Sequence, residues 1–391
     1  MQDRKFDVVV IGAGIQGAGV AQAAAAKGWS VAVLEQYGQA AMGTSSKSSK
    51  LIHGGLRYLE TFQFGLVREC LREKKLLLNL APGLVKKNRF VVPVYQFSQR
   101  SAFVIHLGLL LYRLIGGATV APIKRYPRAQ WSRFPNLKKD KLVALLEYSD
   151  AQTDDQQLTE AVLRSAQTMG AQIEFNFELQ EAHKTDNEYI LTSTNHQIIR
   201  AKFIVNAAGP WVNQVAARIL SSTGKTPPDM PMDLVQGAHI VINKPALEQC
   251  YYFESPDDRR AVFVLPWHGN ILVGTTETLF TGDPAECAAT DEEVQYLLNV
   301  FNTYFPSDAV DERAIQTKFA GLRVLPKNEL NPNRRSRDTL YCHSDNFTHY
   351  LAVYGGKLTS YRATAEKVIK IIQPSLPVKK EKGNTRKLML E

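Results

Sequence analysis

Along much of this chain the apolar residues fall into short unbroken runs, and several of these runs end at glycine. Val8 to Ile11 form the first run, the pattern of a parallel strand buried on both faces. It is followed by Gly12-Ala13-Gly14, by an alanine-rich stretch that reads as a helix, and by a second strand pattern closing on Glu35. "AKFIVNAAGPWVNQVA" (201–216) repeats the strand-to-turn pattern, and "LAVYGGKLTSYRATAEKV" (351–368) adds a third glycine turn between strand and helix. In 156–175, Leu158, Val162 and Leu163 have helical spacing and precede another strand. "AVFVLP" (261–266) and "ILVGTT" (271–276) are strand patterns joined by a Trp-His-Gly-Asn turn. The most apolar stretch, "SAFVIHLGLLLYRLIGG" (101–117), contains His106 and Arg113, falls short of the ~20 apolar residues that span a bilayer, and predicts a helix packed in the protein.

Gly12, Gly14 and Gly17 form GxGxxG between a strand and a helix, the pattern of a dinucleotide site. The first glycine permits a tight turn, the second a close approach to pyrophosphate, and the third the packing of helix on strand. Ile15 then opens a helix whose N-terminal N–H groups and dipole favour phosphate. Glu35 and Gln36 stand where an acid bonds an adenosine ribose, which selects against a 2′-phosphate and leaves FAD and NAD. No second GxGxxG occurs. With the later glycine turns at Ala208, Gly209, Trp211 and at Gly356, Lys357, Leu358, Thr359, one deeply held, non-covalent FAD fits better than a dissociating NAD. Hydroxyls in "MGTSSKSSK" (42–50), at Thr44, Ser45, Ser46, Ser48 and Ser49, suit the cofactor's pyrophosphate and ring oxygens.

Composition narrows the class only modestly. The 391 residues suffice for two domains. Four separated cysteines without a CxxC argue against a zinc site or a disulfide scaffold, and imply no metal and a reducing, cytoplasmic setting. A strand pattern within the first ten residues replaces any signal-peptide pattern. The net charge of +9 comes without a nucleic-acid motif, and much of it lies in "VKKEKGNTRK" (378–387) and around 124–141.

"SSKLIHGGLRYLE" (48–60) and "GGKLTSYRATAEK" (355–367) resemble the two signature segments of the FAD-dependent sn-glycerol-3-phosphate dehydrogenases, within the D-amino-acid-oxidase-like flavoprotein superfamily. "VNAAGPWV", "GAHIVI", "VLPWHGNILVGTTET" and "AGLRVLP" match the family in order, so the resemblance runs from Phe6 to Val368. Members of that family continue into a helical C-terminal domain, whereas this chain stops soon after the second signature, and Glu277 stands where an aspartate is expected. The resemblance implies an α/β fold: a discontinuous Rossmann-like FAD-binding domain (residues 1–90, 143–228 and 338–372) with an inserted mixed-sheet α+β substrate domain (91–142 and 229–337). A basic, mobile tail (373–391) completes the expected organisation.

It also implies oxidation of sn-glycerol 3-phosphate to dihydroxyacetone phosphate, with electrons passed to a quinone, oxygen or another acceptor. Peripheral association with the inner face of the membrane stays open. Arg57, Arg323 and Lys357 are the expected phosphate clamp, with Tyr58 donating through its hydroxyl and Arg337 a further candidate; arginine forks and a lysine suit phosphate oxygens. His239 is the expected base, near its ordinary pKa, while His53 shapes its loop or touches the flavin. In the same loop Lys50 and Leu51 join the serines facing the cofactor, and Gly54-Gly55 let backbone pass close to the ring. The alternatives are an amine or amino-acid oxidase of the same superfamily, whose substrate carboxylate needs one arginine, and a non-catalytic flavin-binding module.

Overall fold

The computed structural model describes residues 4–59, 62–186, 188–327, 338–344 and 347–391, without the side chains of Arg57 and Ala118. The described helices are α1 (Ile15–Ala26), α2 (Phe64–Leu80), α3 (Ala102–Gly116), α4 (Asp155–Thr168), α5 (Val212–Ala217), α6 (Asp291–Tyr304) and α7 (Tyr361–Ile372).

Among these residues the strands form two sheets, of nine and ten members. In the first, the parallel strands Val31–Leu34, Lys5–Ile11, Ile198–Asn206 and Phe347–Tyr354 lie side by side, with Val10 opposite Val33 and Val205, and Val205 opposite Leu351. Their residues are nearly all buried, because helices cover one face and a second apolar cluster the other. α1 lies between α4 and α7, and its small residues permit that approach: a Cβ at Gly19 would stand 2.7 Å from the Tyr361 ring.

The ten-stranded sheet takes more of the chain than the expected insertions. Val85–Tyr95 pairs antiparallel with Leu142–Thr153 from Val85↔Thr153 to Tyr95↔Leu142, and Leu51–Ile52 adds to its edge. Residues 85–90 and 143–153 therefore belong to this sheet, not to the nucleotide-binding one. The reason is two-sided burial: Phe90, Val92 and Tyr148 enter the core on one face of the sheet, Val91 and Leu145 the core on the other. α6 covers that second face, and a Thr290–Glu293 capping box starts it. The first face carries Phe90, Tyr148, Tyr252, Phe263 and Phe319 and looks toward the nucleotide half.

Two expectations are corrected. Residues 102–116 do form a helix, but α3 buries only Leu109 and Tyr112; Phe103, Leu107 and Leu114 are 75%, 56% and 79% exposed. Its apolar residues run all round the helix while only one side meets the protein. The 373–391 tail is packed, not loose. Lys382 N–H donates to the Ala26 carbonyl and Leu390 N–H to the Leu80 carbonyl, both 2.7 Å, while the Trp29 indole donates to the Pro377 carbonyl at 2.8 Å. The tail thus supplies donors to carbonyls left open at the ends of α1 and α2, and seats Leu376 and Leu390 in the core.

Candidate functional site

A cavity of about 940 Å³ lies between the two sheets and runs from Glu35 past the glycine turn to His239 and Arg323. Gly12 has φ +104°, which only glycine adopts readily, and a Cβ at Gly17 would strike the Gly12 carbonyl at 1.9 Å. Gly17 therefore packs α1 onto its strand and does not line the cavity, whereas Gly12, Gly14 and Ile15 do. The Glu35 carboxylate accepts the N–H groups of Ala13 (2.7 Å) and Tyr37 (3.1 Å), and burial pushes its pKa up against those bonds. It holds the turn and lines the cavity with Gln36. Opposite, Ala208, Gly209 and Trp211 line the wall, and Gly209, at φ +55°, faces open space where a Cβ would stand.

The serine loop divides its labour. Thr44, Ser45, Ser48 and Ser49 line the cavity; Ser46 does not. Ser45 Oγ accepts the Ile15 N–H at 2.9 Å, and the Thr44 hydroxyl donates to the Leu322 carbonyl at 2.7 Å. Lys50 is a correction. Its ammonium does not face the cavity but pairs with Asp155 at 2.6 Å, both groups being almost fully buried, and also donates to the Ser46 carbonyl. An ammonium this deeply buried requires a carboxylate partner. Asp155 in turn accepts the Ser48 N–H, so the pair braces the loop from behind.

Leu51, His53, Tyr58, Leu358 and Thr359 line the cavity, but Gly54 and Gly55 do not. Their N–H groups are spent inside the protein, on Tyr112 Oη and His53 Nδ1. Gly356 (φ +101°) and Lys357 form the turn beside them, and the Lys357 ammonium lies 4.8 Å from the Tyr58 ring centroid. A Cβ at neighbouring Gly355 would stand 3.1 Å from the Val324 carbonyl, so this turn abuts the strand bearing Arg323. Arg323 donates to Thr275 Oγ1 at 3.2 Å and lies 3.6 Å from the Glu277 carboxylate. Gly237 makes room for it: a Cβ there would stand 2.7 Å from Arg323 Nη2. Arg337 and the Arg57 side chain lie outside the described residues.

His239 sits opposite Phe319 in the sheet and stacks on its ring, with centroids 5.0 Å apart. Its Nε2 meets Ser49 Oγ at 2.9 Å, while Nδ1 is buried with no hydrogen-bond partner. Burial, reinforced by the positive charges of Arg323 and Lys50, pulls its pKa down to about 3. The ring is thus held neutral, not poised near its ordinary value as expected. With a folded-state pKa below the unfolded value, the unfolded chain binds more protons between the two. Stability then falls as pH drops from about 6.5 toward 3, by up to ~5 kcal/mol from this group. His239→Asn should abolish that part of the acid sensitivity, read as the change in Tm between pH 7 and pH 5.

Sequence reasoning missed the aromatic wall of Tyr148, Tyr252 and Phe263, and the rim residues Arg100, Glu254 and Arg260, which line the same cavity. The apolar pattern of 261–266 marked a strand but not which face would meet the cavity, and the strand Cys250–Glu254 was not read in advance. His268 stands in the turn between two strands, at φ +46°. Among the described residues no cluster of metal-ligating side chains occurs.

The cavity suits FAD on these observations: an acid at one end, a glycine turn under the middle, and open space over Gly209. Comparison with known proteins agrees. The model of the family "FAD dependent oxidoreductase" matches residues 7–371. Among curated proteins, a glycerol-3-phosphate dehydrogenase of Pseudomonas aeruginosa is 38% identical over 94% of this chain and 72% of its own length. A D-erythritol 1-phosphate dehydrogenase of Brucella abortus is 36% identical over 92% and 72%. Among solved structures, glycerol-3-phosphate dehydrogenase from Bacillus halodurans complexed with FAD superposes with a TM-score of 0.77 at 24% identity, over 100% of this chain and 68% of that one. From its glycine turn to its last helix, this chain belongs to the FAD-dependent oxidoreductase family.

Proposed function

We propose that this chain oxidises sn-glycerol 3-phosphate at its secondary hydroxyl to dihydroxyacetone phosphate, with FAD. The observation that carries the reading is the meeting of Arg323 and Lys357 with a buried, neutral His239 in one cavity. FAD held along Gly12, Gly14 and Glu35 would supply the hydride acceptor for the carbinol carbon. Arg323 and Lys357 bind the phosphate, Arg57 and Arg337 are further candidates, and Tyr58 donates a hydrogen bond. His239 receives the hydroxyl proton, its imidazole held by Ser49 and by the Phe319 ring. A phosphate dianion beside Arg323 offsets the charge that depresses His239, so the base strengthens when substrate arrives. Thr275 and Glu277 orient the Arg323 fork.

Relatives named for glycerol 3-phosphate and for erythritol 1-phosphate stand at nearly equal identity, so the polyol is tested directly. Anaerobic addition of sn-glycerol 3-phosphate to FAD-loaded protein should bleach the long-wavelength flavin band, faster than D-erythritol 1-phosphate or glycine does. Full flavin loading with no bleaching by either phosphorylated polyol defeats the reading. Electrons leave to a quinone or to oxygen, and peroxide release with and without added quinone tells which.

We also infer peripheral association with an anionic bilayer through α3. No described helix is long and apolar enough to cross a membrane. Yet Phe103, Leu107 and Leu114, with Phe62 and Phe64 from the adjoining segment, are exposed, and Arg68 and Arg113 are exposed on the same pair of helices. Apolar side chains flanked by cations suit an anionic interface. Co-flotation with vesicles containing phosphatidylglycerol, lost in Phe103→Ser/Leu107→Ser, is expected; equal flotation of the variant rejects α3 as the contact.

A further inference from the structure

At the cavity wall, which Asp150 helps to line, α2, α3 and the Leu142–Thr153 strand each send one polar side chain to a single buried point. Lys74 Nζ donates to Asp150 Oδ1 at 2.7 Å, and Tyr112 Oη donates to Asp150 Oδ2 at 3.0 Å. Tyr112 Oη in turn accepts the Gly54 N–H at 2.7 Å. All three side chains are essentially inaccessible, at 1%, 2% and 0% exposure for Lys74, Asp150 and Tyr112.

The direction of each bond is forced. Paired with Lys74, Asp150 is an acceptor only, so the Tyr112 hydroxyl proton points to it and the oxygen lone pairs face Gly54. Gly54 has no room to do otherwise: a Cβ there would stand 2.2 Å from Tyr112 Oη and 2.4 Å from Leu71. The neighbouring N–H groups are also committed, that of His53 to Thr359 Oγ1 at 3.2 Å and that of Gly55 to His53 Nδ1 at 2.9 Å. With Nδ1 accepting, the neutral His53 ring carries its proton on Nε2. Three consecutive amides thus fix this turn, and Tyr112 is the anchor that comes from outside both glycine-rich segments.

We propose that Tyr112 is a positioning residue for the cofactor cavity: through Gly54 it sets the His53–Gly55 turn, and so the His53 ring that lines the FAD site. The proposal rests on the FAD site and not on the identity of the polyol, so failure of the substrate reading leaves it standing. Tyr112→Phe removes only the hydroxyl, keeping the edge contact with Tyr148 and the Lys74 ammonium over the ring. In substrate-free protein it should weaken FAD binding by about tenfold and shift the visible flavin circular-dichroism band, as expected when two buried partners lose their bond. Leu109→Ala, on the same inner face of α3, should lower Tm while leaving the band and the FAD affinity unchanged. An unchanged band and affinity in Tyr112→Phe, or equal changes in Leu109→Ala, overturns the proposal. Hydrogen exchange of the wild-type Gly54 amide gives a test that does not depend on any variant folding. Slow exchange is expected there despite its place in a turn, and fast exchange overturns the assignment.

Discussion

Arg323→Met is expected to lower kcat/KM for the phosphorylated substrate by about 10²-fold or more while FAD content stays at one per chain. Truncating one partner of a desolvated charge pair typically costs ~2–5 kcal/mol, which spans that range. Arg323 stands on the cavity wall, held by Thr275 and Glu277, whereas the first glycine turn is held by Glu35 and Ser45. Cofactor loading is therefore the internal control. The same substitution has a second consequence. Arg323 is one of the charges that depress His239, so the methionine variant should move the His239 titration upward. A variant that loses activity with no upward shift would place Arg323 away from His239. A variant that keeps activity would remove it from the phosphate clamp altogether.

Glu73→Gln should destabilise the protein by ~3–5 kcal/mol, because it strands a buried guanidinium. Arg362 is 2% exposed and binds Glu73 in a fork, Nε to one carboxylate oxygen and Nη2 to the other, both at 2.7 Å. Its remaining partners are Glu366 and Thr385, the latter from the C-terminal tail. These contacts survive the substitution, so the lower end of the range is expected, with Tm down by roughly 5 °C. Glu366 is partly exposed, and Glu366→Gln should cost under ~1 kcal/mol. Thermal melts of the two variants separate the cases; a near-neutral Glu73→Gln would mean that Glu366 and Thr385 alone satisfy Arg362. Although Arg362 sits inside the second glycine-rich segment, its contacts are structural. It ties α7 to α2 and, through Thr385, to the tail.

Residue chemistry within one short segment proved readable in advance. The strand, glycine turn and helix at 5–26 follow from an apolar run, from glycines that no other residue could replace, and from small residues that let helices close in. Longer-range questions were less legible. Lys50 lies within a loop that borders the cavity, yet its ammonium turns to Asp155, 105 positions away. Nothing local to "SSKLIHGG" carries that information. Residues 101–117 presented an equally ambiguous pattern, since an apolar helix reads the same whether its outer face is covered or bare. The tail looked like a charged coil because the two residues it seats in the core, Leu376 and Leu390, stand at opposite ends of a run rich in lysine and arginine.

By itself the sequence determined the nucleotide turn, the acid at the end of the second strand and the order of the motifs. These are properties of residue type and near spacing, which backbone sterics and short-range hydrogen bonding decide. Tertiary structure alone decided the charge state of His239, the inward turn of Lys50, the placement of 85–90 and 143–153 in the second sheet, and the exposure of α3. Each depends on which distant groups share a low-dielectric space, and burial changes the energy of a charge by more than any local preference does.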